Sequence, residues 1–250
     1  TRFHPDPDTN SSEMDEICKI MKSLRYQLGF RIEPGAEKIS VVDERGFWIP
    51  PQRLLSILTK LFLETHKHKE PYKIAVSILA TKEIEEIAKD YKVEVVRIKN
   101  THSAMMEATT DPDVLFVGSI HGGFIFRDFL FASDGMFSIG QILEMTSQTG
   151  LKISKIDEEL PRRYFASKEI RVPWDIKGYI MRKAMEYSEN LPRELVEGVK
   201  IFYGTDSVVL LPNPEYASFG IFVDAVDPEN AKKLIHQHEN LIKSWKEELE

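Results

Sequence analysis

Apolar residues in the first quarter of the chain alternate between helical and strand spacing. Residues 11–26 place apolar side chains at three- and four-residue intervals, which predicts a helix. Residues 28–32 and 39–42 are short apolar runs on either side of a tight turn, which predicts two paired strands. A second helix is predicted in the segment "PPQRLLSILTKLFLETHKHKE", because an apolar stripe follows a pair of prolines.

From residue 71 the pattern alternates between strands and helices. "YKIAVSILA", "VEVVRIK", "DVLFVGSI" and "GGFIF" predict strands, and "DGMFSIGQILEMTSQTG" predicts a helix that ends at Gly150. This alternation predicts a three-layer α/β/α domain with a mainly parallel sheet. Ligands of such domains bind at the carboxyl ends of the strands, which here correspond to residues 99–102 and 119–123.

The pattern changes after "ELPRRY". One strand, one helix and then three strands at hairpin spacing are followed by a long helix, "PENAKKLIHQHENLIKSWKEELE". That order predicts an α+β domain with an antiparallel sheet. The whole chain is therefore predicted to be α/β with three parts: the end of one domain over 1–66, the α/β/α domain over 67–163, and the α+β domain over 164–250.

Composition restricts the partners and the compartment. The net charge of −7 argues against nucleic acid and anionic membrane surfaces as partners. The single cysteine, Cys18, excludes an internal disulfide and a cysteine zinc site. No apolar run reaches the roughly 18 residues of a membrane span, and no signal peptide is recognisable, so we expect a cytoplasmic protein. Because the chain begins with Thr, we interpret it as a fragment or a processed product.

Two stretches have the residues of possible ligand sites. In the turn of "RIEPGAEKIS", Glu33 and Glu37 lie four positions apart around Gly35. Arg97 and Lys99 lie near the end of a predicted strand and are candidates for an anion contact. The alternative, that they are simple sheet-edge charges, is equally compatible with the sequence.

Three segments, in order along the chain, resemble the phosphohexomutase family of phosphomannomutases and phosphoglucomutases. The segment "FHPDPDTNSSEMDEICKIMKSLRYQLGFRIEPGAEKISVVDERG" is similar to the end of the family's second domain, with its H-P-x-P and D-x-D-x-D-R patterns. "VEVVRIKNTHSAMMEA" and "VLFVGSIHGGFIF" resemble the third domain, and "SVVLLPNPEYASFGIFVDA" resembles the fourth. The chain looks most similar to the mutase-like C-terminal region of mannose-1-phosphate guanylyltransferase-type fusion proteins.

The family's metal loop holds Mg²⁺ with three aspartates followed by an arginine. The matching residues here are Glu33, Gly35, Glu37 and Lys38. Mg²⁺ requires near-ideal octahedral oxygen geometry. Glu33 and Glu37 are each one methylene longer than the family's aspartates, and Gly35 has no side-chain oxygen. The resemblance implies Mg²⁺ as cofactor, whereas the residues predict a degenerate loop without a metal.

The family's sugar loop, G-E-x-S-G, offers Glu and Ser to sugar hydroxyls. Here Gly118 keeps its place, Ser119 and His121 occupy the two polar positions, and Gly122 and Gly123 allow close backbone approach. The loop is a candidate site for a polar ligand such as a sugar phosphate. A plain turn between strands is the alternative.

The family's phosphate loop, R-P-S-G-T-E-P, aligns without a gap over residues 211–225. Leu211 and Gly220 stand where the family has arginines, Asn213 and Pro214 replace Ser and Gly, and Glu215 adds a negative charge. Arginine binds phosphate oxygens bidentately, so its loss predicts a degenerate phosphate loop. No serine here has the family's T-A-S-H-N-P context, and we identify no catalytic residue.

Three functions are compatible with this sequence. The first is a catalytically silent phosphohexomutase-like module, regulatory or structural, in sugar-phosphate and nucleotide-sugar metabolism. The second is part of an active phosphomannomutase or phosphoglucomutase whose catalytic serine domain lies upstream. The third is a protein-interaction module that binds no sugar. The resemblance further implies two partner domains in the intact protein, an N-terminal mutase domain and a nucleotidyltransferase domain.

Overall fold

The protein is described here by a computed structural model, which covers residues 7–68 and 71–248, with side chains from residue 13 onward. The chain packs into two compact units. The first contains residues up to Val76 together with Glu83–Val96 and Thr101–Pro161, and the second contains Ser77–Lys82, Arg97–Asn100 and the chain from Arg162. The predicted domain boundaries after residues 66 and 163 stay predictions. His4 and Pro5 of the H-P-x-P pattern lie outside the described residues.

The first unit opens with a helix and a small antiparallel sheet. Its elements are α1 (Pro7–Leu24), β1 (Gly29–Ile32), β2 (Ile39–Val42) and β3 (Trp48–Ile49), with strand order β1-β2-β3. The apolar side of α1 packs on the sheet because Met14 and Met21 contact the fully buried Val42. The strand pair was predicted, whereas β3, with only two residues, shows no alternating pattern in the sequence.

An α/β domain follows, and most of its residues belong to the first unit. Its elements are α2 (Pro51–His66), β4 (Lys73–Ser77), α3 (Glu83–Asp90), β5 (Glu94–Ile98), α4 (His102–Ala108), β6 (Val114–Gly118), β7 (Phe124–Phe126), α5 (Gly135–Thr149) and α6 (Ile153–Glu159). The strand order is β5-β4-β6-β7, with β4 and β6 parallel and β7 antiparallel to β6. The predicted α/β fold is confirmed, and its sheet is mixed because a tight loop joins β6 directly to β7.

Helix ends in this domain follow local chemistry. Asp134 caps α5 by accepting a hydrogen bond from the Phe137 N–H, and Gly150 ends the helix in the left-handed region at φ 67°. Thr101 caps α4 in the same way through the Ala104 N–H. The core lies around α2, whose Leu54, Leu55 and Leu58 are fully buried.

The second unit is an antiparallel sheet with two helices. Its elements are β8 (Tyr164–Arg171), a 3₁₀ turn (Trp174–Ile176), α7 (Lys177–Tyr187), β9 (Arg193–Glu194), β10 (Val199–Tyr203), β11 (Asp206–Pro212), β12 (Ser218–Ala225) and α8 (Pro228–Glu247). The order is β8-β12-β11-β10-β9, and every adjacent pair is antiparallel. Both helices contribute to one core with the sheet, for example Ile180 and Ile242 with Ile221. The predicted α+β fold is confirmed.

Within the part of the chain that the structure describes, no helix combines the length and the apolar character needed to cross a membrane.

Candidate functional site

The turn between β1 and β2 contains the residues that the sequence analysis aligned with the family's metal loop. The Glu33 N–H donates to the Lys38 carbonyl at 3.0 Å, and the Ala36 N–H donates to the Glu33 carbonyl at 2.8 Å. Ala36 has a positive φ of 57°, which closes the turn. The Ala36 carbonyl accepts the Gly135 N–H at 2.7 Å, so this turn is held against the start of α5.

The residues of this turn do not fit a magnesium ion. A Cβ placed on Gly35 would meet nothing within 4 Å, so the middle ligand position is open space without an oxygen. Glu37 is exposed and Glu33 is half-buried. Among residues 7–68 and 71–248, no group of three or more His, Cys, Asp or Glu side chains could hold a metal. Two separated glutamates are too few for a cation that requires six well-placed oxygens.

The predicted sugar loop lies directly beside this turn. Lys38 and Gly123 form an antiparallel bridge, and the Ile39 N–H donates to the Gly122 carbonyl at 3.0 Å. Gly122 has φ 85°, and a Cβ there would lie 2.5 Å from the Ile39 carbonyl oxygen. Glycine is required at this position because both the backbone conformation and the close approach of β2 exclude a side chain.

Two polar side chains of the sugar loop differ in their surroundings. Ser119 is buried, and its hydroxyl oxygen accepts the His121 N–H at 3.1 Å, while the Ser119 N–H donates to the Gly123 carbonyl. The His121 ring reaches solvent. Surrounding protein atoms still desolvate it enough to lower its pKa below the ordinary 6.5, and the Lys38 charge lowers that pKa further. The imidazole is therefore neutral at physiological pH and can accept or donate a hydrogen bond.

The loop between β11 and β12 contains the residues that the sequence analysis aligned with the family's phosphate loop, and its side-chain donors are satisfied from within the protein. Asn213 Oδ1 accepts the N–H groups of Glu215 at 3.0 Å and Tyr216 at 3.2 Å. Asn213 Nδ2 donates to Glu169 Oε1 at 2.8 Å, and the Ser218 hydroxyl donates to Glu169 Oε2 at 2.9 Å. The Glu169 carboxylate of β8 therefore accepts hydrogen bonds from the two side chains that could otherwise donate to a phosphate.

A buried lysine supports the same loop from α7. Lys177 is 8% exposed, and its ammonium donates to the carbonyl oxygens of Asn213, at 2.6 Å, and Tyr216. The ammonium also lies 3.4 Å from the centre of the Trp174 ring. With two carbonyls and an aromatic face around it, this cation stabilises the loop backbone.

The positions of the two missing arginines are neighbours across the β-ladder. Leu211 pairs directly with Gly220 between β11 and β12. A Cβ on Gly220 would lie 2.5 Å from the Phe222 ring, so that ring occupies the space a side chain would need. The packing around these two positions therefore suits the leucine and the glycine that the chain has there.

Arg97 and Lys99 belong to the second unit. The Arg97 guanidinium donates to three backbone carbonyls of the segment after β4, those of Ser77 at 2.9 Å, Ala80 at 2.8 Å and Thr81 at 2.9 Å. Arg97 therefore holds the backbone of this segment in place. Neither alternative from the sequence, an anion contact or a simple sheet-edge charge, included this role. Lys99 is exposed. Anion binding by these residues stays a prediction.

Glu169 and Lys177 were missed by sequence reasoning. Glu169 lies 44 residues before its partner Asn213, and Lys177 lies 36 residues before the same residue. The alternation of β8 places Glu169 on a definite face of the strand, but nothing in its neighbourhood indicates which residue it contacts. The "SVVLLP" and "FGIFVDA" strands did predict that the loop itself would be a hairpin turn.

Residues 50–164 match the family model described as "Phosphoglucomutase/phosphomannomutase, alpha/beta/alpha domain III". The match includes α2, which the sequence analysis had assigned to the preceding domain. Phosphoglucosamine mutase of Methanocaldococcus jannaschii is 26% identical over 244 residues, which cover 96% of this chain and 54% of that protein. Phosphoglucomutase/phosphomannomutase of Thermococcus kodakarensis is 24% identical over 242 residues, covering 93% of this chain and 52% of that protein.

Solved structures share the fold. A phosphoglucomutase/phosphomannomutase family protein of Burkholderia thailandensis superposes with a TM-score of 0.81 at 17% identity, covering 98% of this chain and 52% of that one. An N-acetylphosphoglucosamine mutase of Aspergillus fumigatus, solved with GlcNAc-6P and magnesium, gives a TM-score of 0.60 at 9% identity, with 84% and 47% covered.

The fold is that of phosphohexomutase domains III and IV. Together with the sequence relatives, it makes this chain similar to phosphohexomutases in both sequence and fold. The chain spans about half the length of the curated relatives it matches.

Proposed function

We propose that this chain is a catalytically silent phosphohexomutase-like module that serves a regulatory or structural role in sugar-phosphate metabolism. The observation that carries the proposal is the β11–β12 loop, where Asn213, Ser218 and Glu169 satisfy one another. An added phosphate would have to displace a carboxylate of like charge, without an arginine in the loop to attract it.

The turn at Gly35 supports the proposal independently. It lies in the first unit, whereas the phosphate loop lies in the second, so two separate parts of the mutase machinery lack their chemical groups. A mutase transfers a phosphoryl group through positioning and charge stabilisation, and both depend on these groups. The predicted association with a guanylyltransferase, and with it a place in nucleotide-sugar synthesis, stays a prediction.

The sugar loop is the remaining candidate for ligand binding. Ser119 and His121 give this turn two polar side chains, which suit a hexose or hexosamine phosphate, while Gly122 and Gly123 pack against the neighbouring backbone of residues 38–39. The relatives named phosphoglucosamine mutase and phosphoglucomutase/phosphomannomutase favour this ligand class. We therefore propose a metal-independent sugar-phosphate sensor.

Thermal denaturation in the presence of ligands tests the proposal. Glucosamine, glucose and mannose phosphates would be titrated separately, each with and without Mg²⁺. A ligand at a hundred times its Kd stabilises by about 2.7 kcal/mol, which raises the Tm by several degrees. We expect a rise with at least one sugar phosphate and none with Mg²⁺. Ser119→Ala and His121→Ala should abolish that rise, and Ser23→Ala, on the exposed surface of α1, should keep it.

A mutase that is active once joined to a catalytic serine domain is the second candidate. The alignment with complete mutases over nearly the whole chain favours it. A Tm rise that requires Mg²⁺ would support this candidate against the silent module. The absence of any rise would contradict the sensor and favour a purely structural role.

A further inference from the structure

The outer face of α5 carries a line of residues without charge. Met136, Gly140, Leu143 and Ser147 are all exposed and follow the 4-3-4 spacing that places them along one side of a helix. Met136 is 67% exposed and Leu143 is 48% exposed, although neither contributes to the core. We call these four residues the α5 seam. Glu144 follows Leu143 on the same helix, and Gln141 and Gln148 donate to its carboxylate.

Helix α8 shows what a solvated outer face looks like in the same protein. Its exposed positions include Lys232, Lys233, Asn240 and Lys243. Helices that face only water normally carry such polar stripes, whereas exposed apolar stripes at coiled-coil spacing pack against another helix. The α5 seam therefore has the composition of a contact surface.

The order of large and small residues along the seam identifies its partner. Large and small side chains alternate as Met136, Gly140, Leu143 and Ser147. If two copies of α5 lie antiparallel about a two-fold axis, Met136 of one copy faces Ser147 of the other, and Gly140 faces Leu143. Each large side chain of either copy then meets a small side chain of the other copy. This is the self-complementarity that a two-fold interface requires.

We propose that the α5 seam is the interface of a homodimer, formed by antiparallel packing of α5 from two copies of this chain. An apolar shoulder enlarges the surface beyond the helix. Phe129, Leu130 and Phe131 are between 46% and 54% exposed, and the Phe129 ring stacks on Phe137 of the first turn at 3.9 Å. The stacking on Phe137 places this shoulder next to the first turn of α5, where the seam begins.

Gly140 provides a variant that separates dimerisation from folding. A Cβ at Gly140 would meet nothing within 4 Å, so Gly140→Leu is compatible with the folded monomer. In the dimer the added side chain would collide with Leu143 of the second copy. Gly178 on α7 is the matched control, because it is also an exposed helical glycine with nothing within 4 Å of an added Cβ.

Sedimentation equilibrium of the 250-residue chain would measure the association. We expect a concentration-dependent species of twice 28.8 kDa. Gly140→Leu should weaken dimerisation at least about tenfold without lowering the Tm of the monomer. Gly178→Leu should leave dimerisation unchanged. A chain that stays monomeric up to several hundred micromolar would overturn the proposal and assign the seam to a different partner. A dimer that Gly140→Leu does not affect would overturn the proposal in the same way.

Cross-linking tests the antiparallel register. In a Cys18→Ser background, a mixture of Met136→Cys and Ser147→Cys chains should form the mixed disulfide in preference to either homodimeric one. Preferential Met136→Cys homodimers would indicate parallel helices and contradict the proposed arrangement.

Discussion

Two glycines of the candidate site illustrate opposite physical constraints at the scale of single residues. Gly122 has a positive φ, and a Cβ on it would lie 2.5 Å from a backbone oxygen, whereas Gly35 has open space around it. We expect Gly122→Ala to lower the free energy of unfolding by about 1–3 kcal/mol, because strain and steric conflict add. Gly35→Ala should be neutral or stabilising by up to about 1 kcal/mol. Urea denaturation of both variants checks this, and equal effects would contradict it.

His238 makes stability depend on pH through its burial. The ring is fully buried, its Nδ1 lies 2.9 Å from the Leu234 carbonyl, and Nε2 lies 3.1 Å from the Tyr203 hydroxyl. Because a carbonyl only accepts, Nδ1 carries the proton and Nε2 accepts from Tyr203. Desolvation lowers the pKa of His238 below 6.5.

A lowered histidine pKa means that the unfolded chain binds the proton more tightly than the folded one. The contribution to stability is therefore present above pH 6.5 and is lost as the pH falls through the folded pKa. The pKa of His121 is lowered as well, so His121 adds to the change of stability with pH. We expect His238→Phe to be less stable at pH 7.5 but to lose less stability between pH 7 and 5 than the wild type. Equal pH slopes in urea denaturation would count against this role.

At the scale of elements, one arginine connects three helices of the first unit. Arg53 of α2 donates to Glu83 of α3 at 3.0 Å and to Asp157 of α6 at 2.6 Å. It also donates to the carbonyls of Asp157 and Leu160 at the end of α6. Glu83 is only 2% exposed and also accepts the Ser56 hydroxyl, so its charge depends on these donors.

Removing Arg53 should take one ion-pair partner away from the buried Glu83 carboxylate. We expect Arg53→Ala to lower the free energy of unfolding by about 3–5 kcal/mol, as breaking a buried ion pair does. Lys155→Ala is a suitable control, since it breaks an exposed pair with Glu158 that solvent screens almost completely. In the double variant Arg53→Ala with Glu83→Gln, part of the loss should be recovered. An Arg53→Ala effect no larger than that of the control would contradict the connecting role.

The same contacts explain which elements the sequence could predict. α5 was predictable because its cap and its closing Gly150 are local signals next to a periodic pattern. α6 was missed because it has only seven residues and lacks a side-chain cap, and Arg53 contacts it across 104 residues of chain. In the candidate site, the turns at Gly35 and Asn213 followed from nearby residues. Their surroundings, including the Glu169 contact and the packing of Gly122 on Ile39, depend on tertiary structure.

At the scale of the whole molecule, the two turns for which we propose a loss of ligand groups lie in different units. The metal-loop counterpart belongs to the first unit and the phosphate-loop counterpart to the second, and each is accommodated by its own local contacts. The Ala36 carbonyl accepts the Gly135 N–H in one, and Glu169 satisfies Asn213 in the other. Because both backbones keep hydrogen-bonded turns, the fold does not depend on a bound ion or phosphate at either place.

This independence predicts that the metal loop can be restored without rebuilding the fold. The triple variant Glu33→Asp, Gly35→Asp and Glu37→Asp supplies three short carboxylates, and the open space at Gly35 admits the new side chain. We expect calorimetry to detect Mg²⁺ binding to this variant and none to the wild type. The variant with Asn in place of Asp at position 35 is the control, because it has the same shape and one charge fewer, so its affinity should be lower. If the wild-type chain binds Mg²⁺ as tightly as the triple variant, Glu33 and Glu37 suffice as ligands and the silent-module proposal loses one of its two supports.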